Sequence, residues 1–529
     1  MNDSVQSKPL SGAESRRGNL WTNGLVPVGL VAGLNFVLHL FAIRGFGIFR
    51  DELYYIACSD HLALGYVDQP PLSILLLRLV RIIFGDSLLA IRILPALGSA
   101  AFVLLAGLIA REVGGKRFAM FLAAAAAFAT TGNMFLFHIY SMNFLDLLFW
   151  EAAILILIKI IKSGRPRLWL LFGLVVGLGF ENKISILILV FGLAVGILLT
   201  ENRRVLKSWY LWLGAGLAAL LILPYVYWNA TQGGPALEFM RNARLYKNVQ
   251  NTLPGFLLDQ VLFNNPLTLF LWLPGLAYFF FHKNGRPWRL FGWMYLSLFA
   301  LLFLQHGKDY YMAGAYLVLF AGGAILVESW TTSGIKRWLR PASVTVLIVS
   351  SVLFAPMALP ILSVQKTIDF QRMIGYARSQ ERGELGVFPQ HLADEFGWPD
   401  MVATFAGVYQ KLPPEEQAHC LLFVRNYGEA AAIDFFGKTY GLPKATCGHN
   451  NYWLWGPSNW EPTTAIVLGV SRDVQKSRDD LVQNFNEVVL AGTTSVPLGM
   501  PYENGRPVFI VRGFKRSLRD LWPQLKNFN

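Results

Sequence analysis

This sequence predicts a polytopic α-helical membrane protein ending in a soluble α/β domain, and three observations lead there. The 529-residue chain is 54% hydrophobic and 15% charged, with a mean hydropathy of +0.42; soluble globular proteins carry roughly 25% charged residues. Apolar runs of roughly 17–22 residues, the length that a hydrocarbon core of about 30 Å asks of a helix, recur between charged clusters. After residue 363 that pattern stops, and short β-rich runs alternate with amphipathic stretches.

Residues 1–21 are polar, include Arg16 and Arg17, and read as a disordered cytoplasmic tail. The first apolar run, 22–43, is too long and too far into the chain for a cleaved signal peptide, so it is expected to remain as an outward-crossing span. Residues 44–91 mix charges with Gly65, Pro70 and Pro71, then run from Leu72 to Phe84 with Arg78 and Arg81 among leucines. That run suits a helix lying along the interface with its arginines at the headgroups, or an irregular loop with a short re-entrant helix. Further spans are expected at 93–110, 118–136, 144–161, 168–181, 184–200, 209–228, 261–281, 290–305, 311–328 and 342–363, making about eleven in all. Alternate connections are basic: Arg111 to Arg117, Lys162 to Arg167, Arg203 to Lys207, Lys283 to Arg289 and Lys336 to Arg340. They are assigned to the cytoplasm. An odd number of spans with the N-terminus inside leaves the C-terminal region outside. The expected domains are therefore a membrane domain, 22–363, and an extracytoplasmic α/β domain, 364–529. In the latter, Cys420–Val424, Ala465–Val470, Glu487–Leu490 and Val508–Val511 read as strands of a largely parallel sheet.

A net charge of +13 suggests nucleic acid at first sight. The basic residues instead follow the cytoplasmic side of the apolar runs, which makes a nucleic-acid partner unnecessary. Three cysteines exclude a disulfide scaffold or a zinc cluster. Cys420 and Cys447 can pair if their domain lies in an oxidising compartment, and Cys58 reads as a small buried hydrophobe.

The outward loops collect the chemistry. The first holds Asp51, Glu52, Asp60, His61 and Asp68, and the second His138, Tyr140, Ser141, Asn143 and Asp146. The third is the tight Glu181-Asn182-Lys183, the fourth carries Glu238, Arg241, Arg244 and Lys247, and the fifth is Gln305 to Tyr311 with Lys308, Tyr310 and Tyr311. Carboxylates near hydrocarbon are costly unless they face water, a partner or a substrate. A carboxylate serves as general base, and Lys and Arg clamp a phosphate as charge develops, so a group transfer from a phosphate-linked donor uses both. Arg241 and Arg244, three apart, share a helix face and suit one phosphate. Each group also has a plain alternative: Asp51 solvating a loop, Glu52 as its structural neighbour, Asp146 capping a helix, the Arg241 stripe binding headgroups, Lys308 paired with Asp309. His138 and His306 read as interface or core histidines, and no spacing resembles a metal motif. Trp453, Trp455 and Trp460 cluster as core aromatics or as a glycan platform.

The run Asp51-Glu52-Leu53-Tyr54-Tyr55, followed by Gly65-Tyr66-Val67-Asp68-Gln69-Pro70-Pro71, resembles the bacterial family 39 glycosyltransferases, relatives of protein mannosyltransferases and of the lipid A aminoarabinose transferase. The likeness continues through Arg92 to Ala96, Ser141-Met142-Asn143, Gly179 to Lys183, Leu237 to Ala243 and Gly307 to Tyr311, covering about residues 45–330. It implies a GT-C fold in the cell (inner or plasma) membrane and a polyprenyl-phosphate sugar donor. It also implies transfer with inversion to an extracytoplasmic lipid, glycan or protein. By that resemblance Asp51 is the essential carboxylate with Glu52 beside it, Asp146 sits where relatives have a second acid, and Lys308 with Tyr310 or Tyr311 binds phosphate. Lys183, Arg241 and Arg244 are added as phosphate ligands from their charge and position. No cofactor is required, and a divalent metal is unsupported by the sequence although members of the wider fold sometimes use one. A transporter or flippase of a lipid-linked or anionic solute is the alternative reading, its carboxylates then being proton or cation sites.

Overall fold

The structure, a computed structural model, describes residues 24–247, 252–375 and 386–529, so the expected N-terminal tail lies outside the described residues. The helical part comprises α1 (Leu25–Ala42), α2 (Arg50–Asp60), α3 (Leu72–Phe84), α4 (Leu88–Val113), α5 (Arg117–Ala129), α6 (Thr131–Leu136), α7 (Met142–Ser163), α8 (Leu168–Asn182) and α9 (Ile186–Leu198). It continues through α10 (Trp209–Thr231), α11 (Pro235–Asn242), α12 (Leu253–Phe263), α13 (Leu269–Phe281), α14 (Arg289–Leu304), α15 (Tyr316–Trp330), α16 (Leu339–Ala358) and α17 (Val364–Ile374).

Among the described residues six helices are long and apolar enough to cross a bilayer, or up to eight if each of two bent pairs forms one span. One bent pair lies at the expected span 184–200, where α9 turns through 114° into a short 3₁₀ segment. The other splits the expected span 261–281: α12 and the segment that includes α13 meet at 87°. Their hinge contains Pro266, and Asn265 takes a left-handed φ of 70°. The expected span 118–136 also breaks, at Thr130, into α5 and α6. Apolar composition does not register such breaks, because a bend between two apolar helices leaves the hydropathy unchanged.

Small residues set the helix spacing. A Cβ at Gly275 of α13 would overlap the carbonyl oxygen of Leu319 in α15, and one at Gly323 would overlap that of Leu271. Gly173 and Gly214 bring α8 and α10 together in the same way. Such backbone contact is how helices associate where lipid offers no hydrophobic drive.

The amphipathic run Leu72–Phe84 is one helix with Leu75, Leu79, Ile82, Ile83 and Phe84 exposed. Its arginines pair with acids of the neighbouring segments. Arg81 is buried and bonded to Asp60, Asp86 and the Ile56 carbonyl, and Arg78 pairs with Asp60 at 2.8 Å, which fastens α3 to α2.

The C-terminal region contains α18 (Gln390–Ala393), α19 (Trp398–Tyr409), α20 (Pro414–Ala418), β1 (Cys420–Phe423), α21 (Tyr427–Phe436), β2 (Ala445–Thr446), α22 (Asn451–Trp455), β3 (Thr464–Leu468), α23 (Val474–Val482), β4 (Phe485–Thr493), β5 (Pro507–Phe514) and α24 (Leu518–Leu521). Its strands order β2-β1-β3-β5-β4. Only β2, β1 and β3 are parallel; β5 runs antiparallel to both β3 and β4. The sheet is therefore mixed rather than largely parallel, because no crossover helix separates β4 from β5 and the direct connection returns the chain antiparallel. Cys58, Cys420 and Cys447 are buried free thiols, so the Cys420–Cys447 pairing is not made. Trp453 and Trp522 exchange indole N–H bonds to each other's carbonyls, and Trp460 packs edge-on to Trp522, an arrangement of core aromatics.

One continuous apolar core runs from the bundle (Leu53, Tyr54, Phe102, Trp150, Tyr316) into the C-terminal region (Trp398, Phe405, Tyr427, Ile433). The two parts thus share buried side chains across the face that carries α2.

Gly323→Ala tests the close crossing of α13 and α15. Forcing a methyl against the Leu271 carbonyl is expected to cost about 1–3 kcal/mol, read as a lower thermal midpoint in detergent; an unchanged midpoint counts against the crossing.

Candidate active site

The two adjacent acids of α2 meet opposite fates. Glu52 is the third residue of the helix, so its carboxylate reaches back to the buried backbone N–H of Phe49 at 2.9 Å and caps the helix start. Its oxygens also accept from Arg92 Nε at 2.8 Å and Nη2 at 2.7 Å, and from the backbone N–H of Tyr140 at 2.8 Å. Both Glu52 and Arg92 are 0% exposed. With four donors around two oxygens, Glu52 is fully engaged inside the protein.

Arg92 carries the network onward. Its Nη2 donates to the Gly47 carbonyl at 2.8 Å and lies 3.7 Å from Glu395 of the C-terminal region. His138 Nε2 sits 3.1 Å from Arg92 Nη1 and 3.3 Å from Glu395 Oε1. Burial opposes ionisation of Glu395, but the Arg92 guanidinium and His138 outweigh it and hold this carboxyl below the usual carboxylate range. One arginine thus ties together α2, α4, the loops before α2 and α7, and the C-terminal region.

Asp51, one residue earlier, is turned by about 100° around the helix and its side chain is 37% exposed. Its Oδ1 accepts the Tyr427 hydroxyl at 2.9 Å, and Arg50 Nε lies 3.8 Å away. Farther along α2, Tyr54 donates to Asp68 at 3.1 Å, and the Tyr55 hydroxyl accepts the Met142 backbone N–H at 3.1 Å.

Met142 opens α7 and leads to a second polar group. Ser141 caps α7, accepting the Asn143 N–H at 3.3 Å, so the cap role considered for Asp146 is already filled. Asp146 instead faces Lys183, at 3.4 Å, and accepts the Ser185 hydroxyl at 2.7 Å. Lys183 stands where α8 ends, donates to Asn143 Oδ1 at 2.8 Å, and points over the rings of Tyr311 (4.8 Å) and Tyr310 (5.3 Å). Lys308 approaches the Tyr310 ring from 6.0 Å. Asp309 accepts the Tyr310 backbone N–H at 2.7 Å.

The structure therefore gathers Asp146, Lys183, Lys308, Tyr310 and Tyr311 in one cluster, joined to the helix of Asp51 and Glu52 through the Tyr55–Met142 bond. Among the described residues no bond or ion pair joins Arg241 or Arg244 to this cluster. Both are exposed, and α11 is fastened to the chain's C-terminus by Asn242 to the Phe528 carbonyl (2.8 Å) and Lys526 to Glu238 (2.6 Å). Sequence reasoning did not single out Arg92 or Tyr427 as site residues. Arg92 had a signal, a lone cation at the edge of an apolar run; Tyr427 had none. Among the described residues no group of three or more His, Cys, Asp or Glu is placed to hold a metal ion.

Residues 68–228 match the family profile described as dolichyl-phosphate-mannose-protein mannosyltransferase, a stretch that includes Asp146 and Lys183 but not Asp51 or Lys308. The chain is 29% identical over 207 residues to the lipid A galacturonosyltransferase RgtD of Rhizobium johnstonii, covering 38% of this chain and 43% of that one. It thus spans less than half the length of that curated relative. Among solved structures, ArnT from Cupriavidus metallidurans bound to undecaprenyl phosphate superimposes with a TM-score of 0.57 at 14% identity, over 93% of this chain and 98% of that one. The apo ArnT structure gives a TM-score of 0.58 at 13% identity, over 91% and 97% of the two chains. Archaeal oligosaccharyltransferase AglB from Archaeoglobus fulgidus, in complex with an inhibitory peptide and a dolichol-phosphate, gives 0.51 at 12% identity, over 79% and 64%.

Two outcomes follow from the Arg92 network. Arg92→Met leaves Glu52 charged and buried without its partner, a loss of about 3–5 kcal/mol. Low yield and a lowered thermal midpoint are expected, with partial recovery in the double variant Arg92→Met/Glu52→Leu. For Glu395 the sign follows from its lowered folded value. Its stabilisation is present above the ordinary 4.5 and is lost as pH falls through the folded value. Thermal midpoints measured from about pH 6 to about pH 3 should fall more steeply in the wild type than in Glu395→Gln.

Proposed function

We propose, from a chain that has the GT-C fold of ArnT, that this membrane protein is a glycosyltransferase using a polyprenyl-phosphate sugar. The acceptor is an extracytoplasmic lipid, glycan or protein, and transfer proceeds with inversion. The observation that carries the reading is the pairing of a half-exposed carboxylate, Asp51, on a rigidly held helix with a lysine–tyrosine cluster linked to that helix. The likeness to a lipid A galacturonosyltransferase favours a lipid among the acceptors.

In this reading Asp51 takes the proton of the acceptor hydroxyl as its oxygen bonds to the anomeric carbon. The bond from that carbon to the donor phosphate oxygen breaks, and the electron pair leaves with the polyprenyl phosphate. Lys183 and Lys308 meet the charge that accumulates there, with Tyr310 and Tyr311 lining the place. Asp146 keeps Lys183 aimed at the phosphate. Glu52 acts as a positioning residue rather than a reacting one, because both its oxygens already hold their donors. Arg241 and Arg244, exposed in α11 and the helical turn after it, meet the donor at headgroup level.

The reading also places the protein in the cell's inner or plasma membrane with the N-terminus cytoplasmic. The transferase domain is 22–363, and the α/β domain, 364–529, lies outside. A lipid-linked donor suits this arrangement, since its polyprenyl tail stays in the bilayer while its phosphate reaches interfacial cations.

The test is transfer of radiolabelled sugar from a polyprenyl-phosphate donor in proteoliposomes. Asp51→Asn keeps the side chain's shape and is expected to lose roughly 10²–10⁴-fold in rate at unchanged protein level. Lys183→Ala is expected to raise the KM for donor. Equal transfer by wild type and Asp51→Asn removes Asp51 from the reaction. Movement of labelled lipid across the bilayer without any transfer supports the transporter reading instead.

A further inference from the structure

We propose that Tyr427 is a positioning residue for the Asp51 carboxylate, so that the C-terminal α/β region completes the transferase site. This rests on the reading of Asp51 as the base. The Tyr427 hydroxyl donates to Asp51 Oδ1 at 2.9 Å, and Arg50 Nε lies 3.8 Å from the same oxygen. Among the described residues no bond is made to Asp51 Oδ2. One oxygen is therefore tethered and the other is left open to an acceptor. A carboxylate on the first turn of a helix otherwise has several staggered rotamers, and only those facing the acceptor are productive.

The tyrosine is itself held firmly. It is the first residue of α21, directly after the N-cap Asn426, whose side chain accepts the N–H groups of Gly428 and Glu429. The buried Glu429 returns the bond to the Asn426 N–H, completing a capping box, and Asn426 is further bonded to Glu503 at 3.1 Å. The phenol ring packs between Tyr54 (centroids 4.5 Å apart) and His449 (4.8 Å), with the Arg50 guanidinium 5.6 Å from its centre. Gly428 lets this turn lie flush on α2, since a Cβ there would run into the Arg50 side chain. Ring packing fixes where the hydroxyl points, and the hydroxyl fixes the carboxylate. The two contributions are separable, because a phenylalanine keeps the first and removes the second.

The experiment is steady-state transfer, with thermal midpoints, for wild type, Tyr427→Phe, Asp51→Asn, and a protein with 3-fluorotyrosine at position 427, which retains the hydroxyl. Tyr427→Phe is expected to lower kcat roughly tenfold with the KM for donor and the thermal midpoint unchanged, while the fluorinated protein keeps the wild-type rate. Wild-type kcat in Tyr427→Phe, with Asp51→Asn inactive, overturns the role of Tyr427 and leaves the reading of Asp51 standing. A Tyr427→Phe protein that loses rate and thermal midpoint together overturns positioning in favour of plain packing. Full activity in Asp51→Asn overturns the underlying reading, and this inference falls with it.

Discussion

The buried pair of Glu52 and Arg92 is the constraint on which the rest of this architecture depends. Two charges with no exposure are stable only when every oxygen and donor is met, and here the partners come from the loop before α2, the loop before α7 and the C-terminal region. That requirement fixes the rotation of α2 about its own axis. Once Glu52 points inward, Asp51 must point away from it, toward the face where α21 arrives. A one-residue difference in sequence becomes the difference between a fully buried carboxylate and a partly exposed one.

The lysine–tyrosine cluster is built by a different device, the interruption of helices. Lys183 sits where α8 stops, just before the turn into α9, and Lys308 and Tyr310 occupy the turn into the helix that ends at Trp330. Helix ends leave backbone polar groups exposed, so they suit places where a polar ligand meets a protein otherwise adapted to lipid. Asp146 lies 3.4 Å from Lys183, and Lys308 brings a second cation to the cluster beside Asp309.

The C-terminal region is bound into the same construction. Glu395 joins the Arg92 network, Asn451 accepts the Val67 N–H at 2.8 Å, and Tyr427 reaches Asp51. Its mixed sheet has no direct part in these contacts. They come from α21 and from the segments before α19 and around α22, while the sheet holds those segments at fixed spacing.

Much of the scaffold was legible in the sequence, because bilayer thickness and the hydrogen-bonding needs of the backbone act locally along the chain. Apolar runs, basic connections and the change of composition after residue 363 gave the helical part and the mixed α-and-β tail. The acid pair, Lys183 and Lys308 stood out as charges at the ends of apolar runs. The sequence could not separate the fates of Asp51 and Glu52, since a helix's rotation is decided by its partners. Nor did it show that, among the described residues, no bond or ion pair joins Arg241 or Arg244 to the cluster, that the runs 118–136 and 261–281 break, or that β4 and β5 return antiparallel. Least of all could it join Tyr427 to Asp51 across 376 residues. By itself the sequence determined which segments prefer lipid and which charges resist it. The tertiary structure alone decided which of those charges meet, because packing of distant elements, not any local preference, brings their side chains within bonding distance.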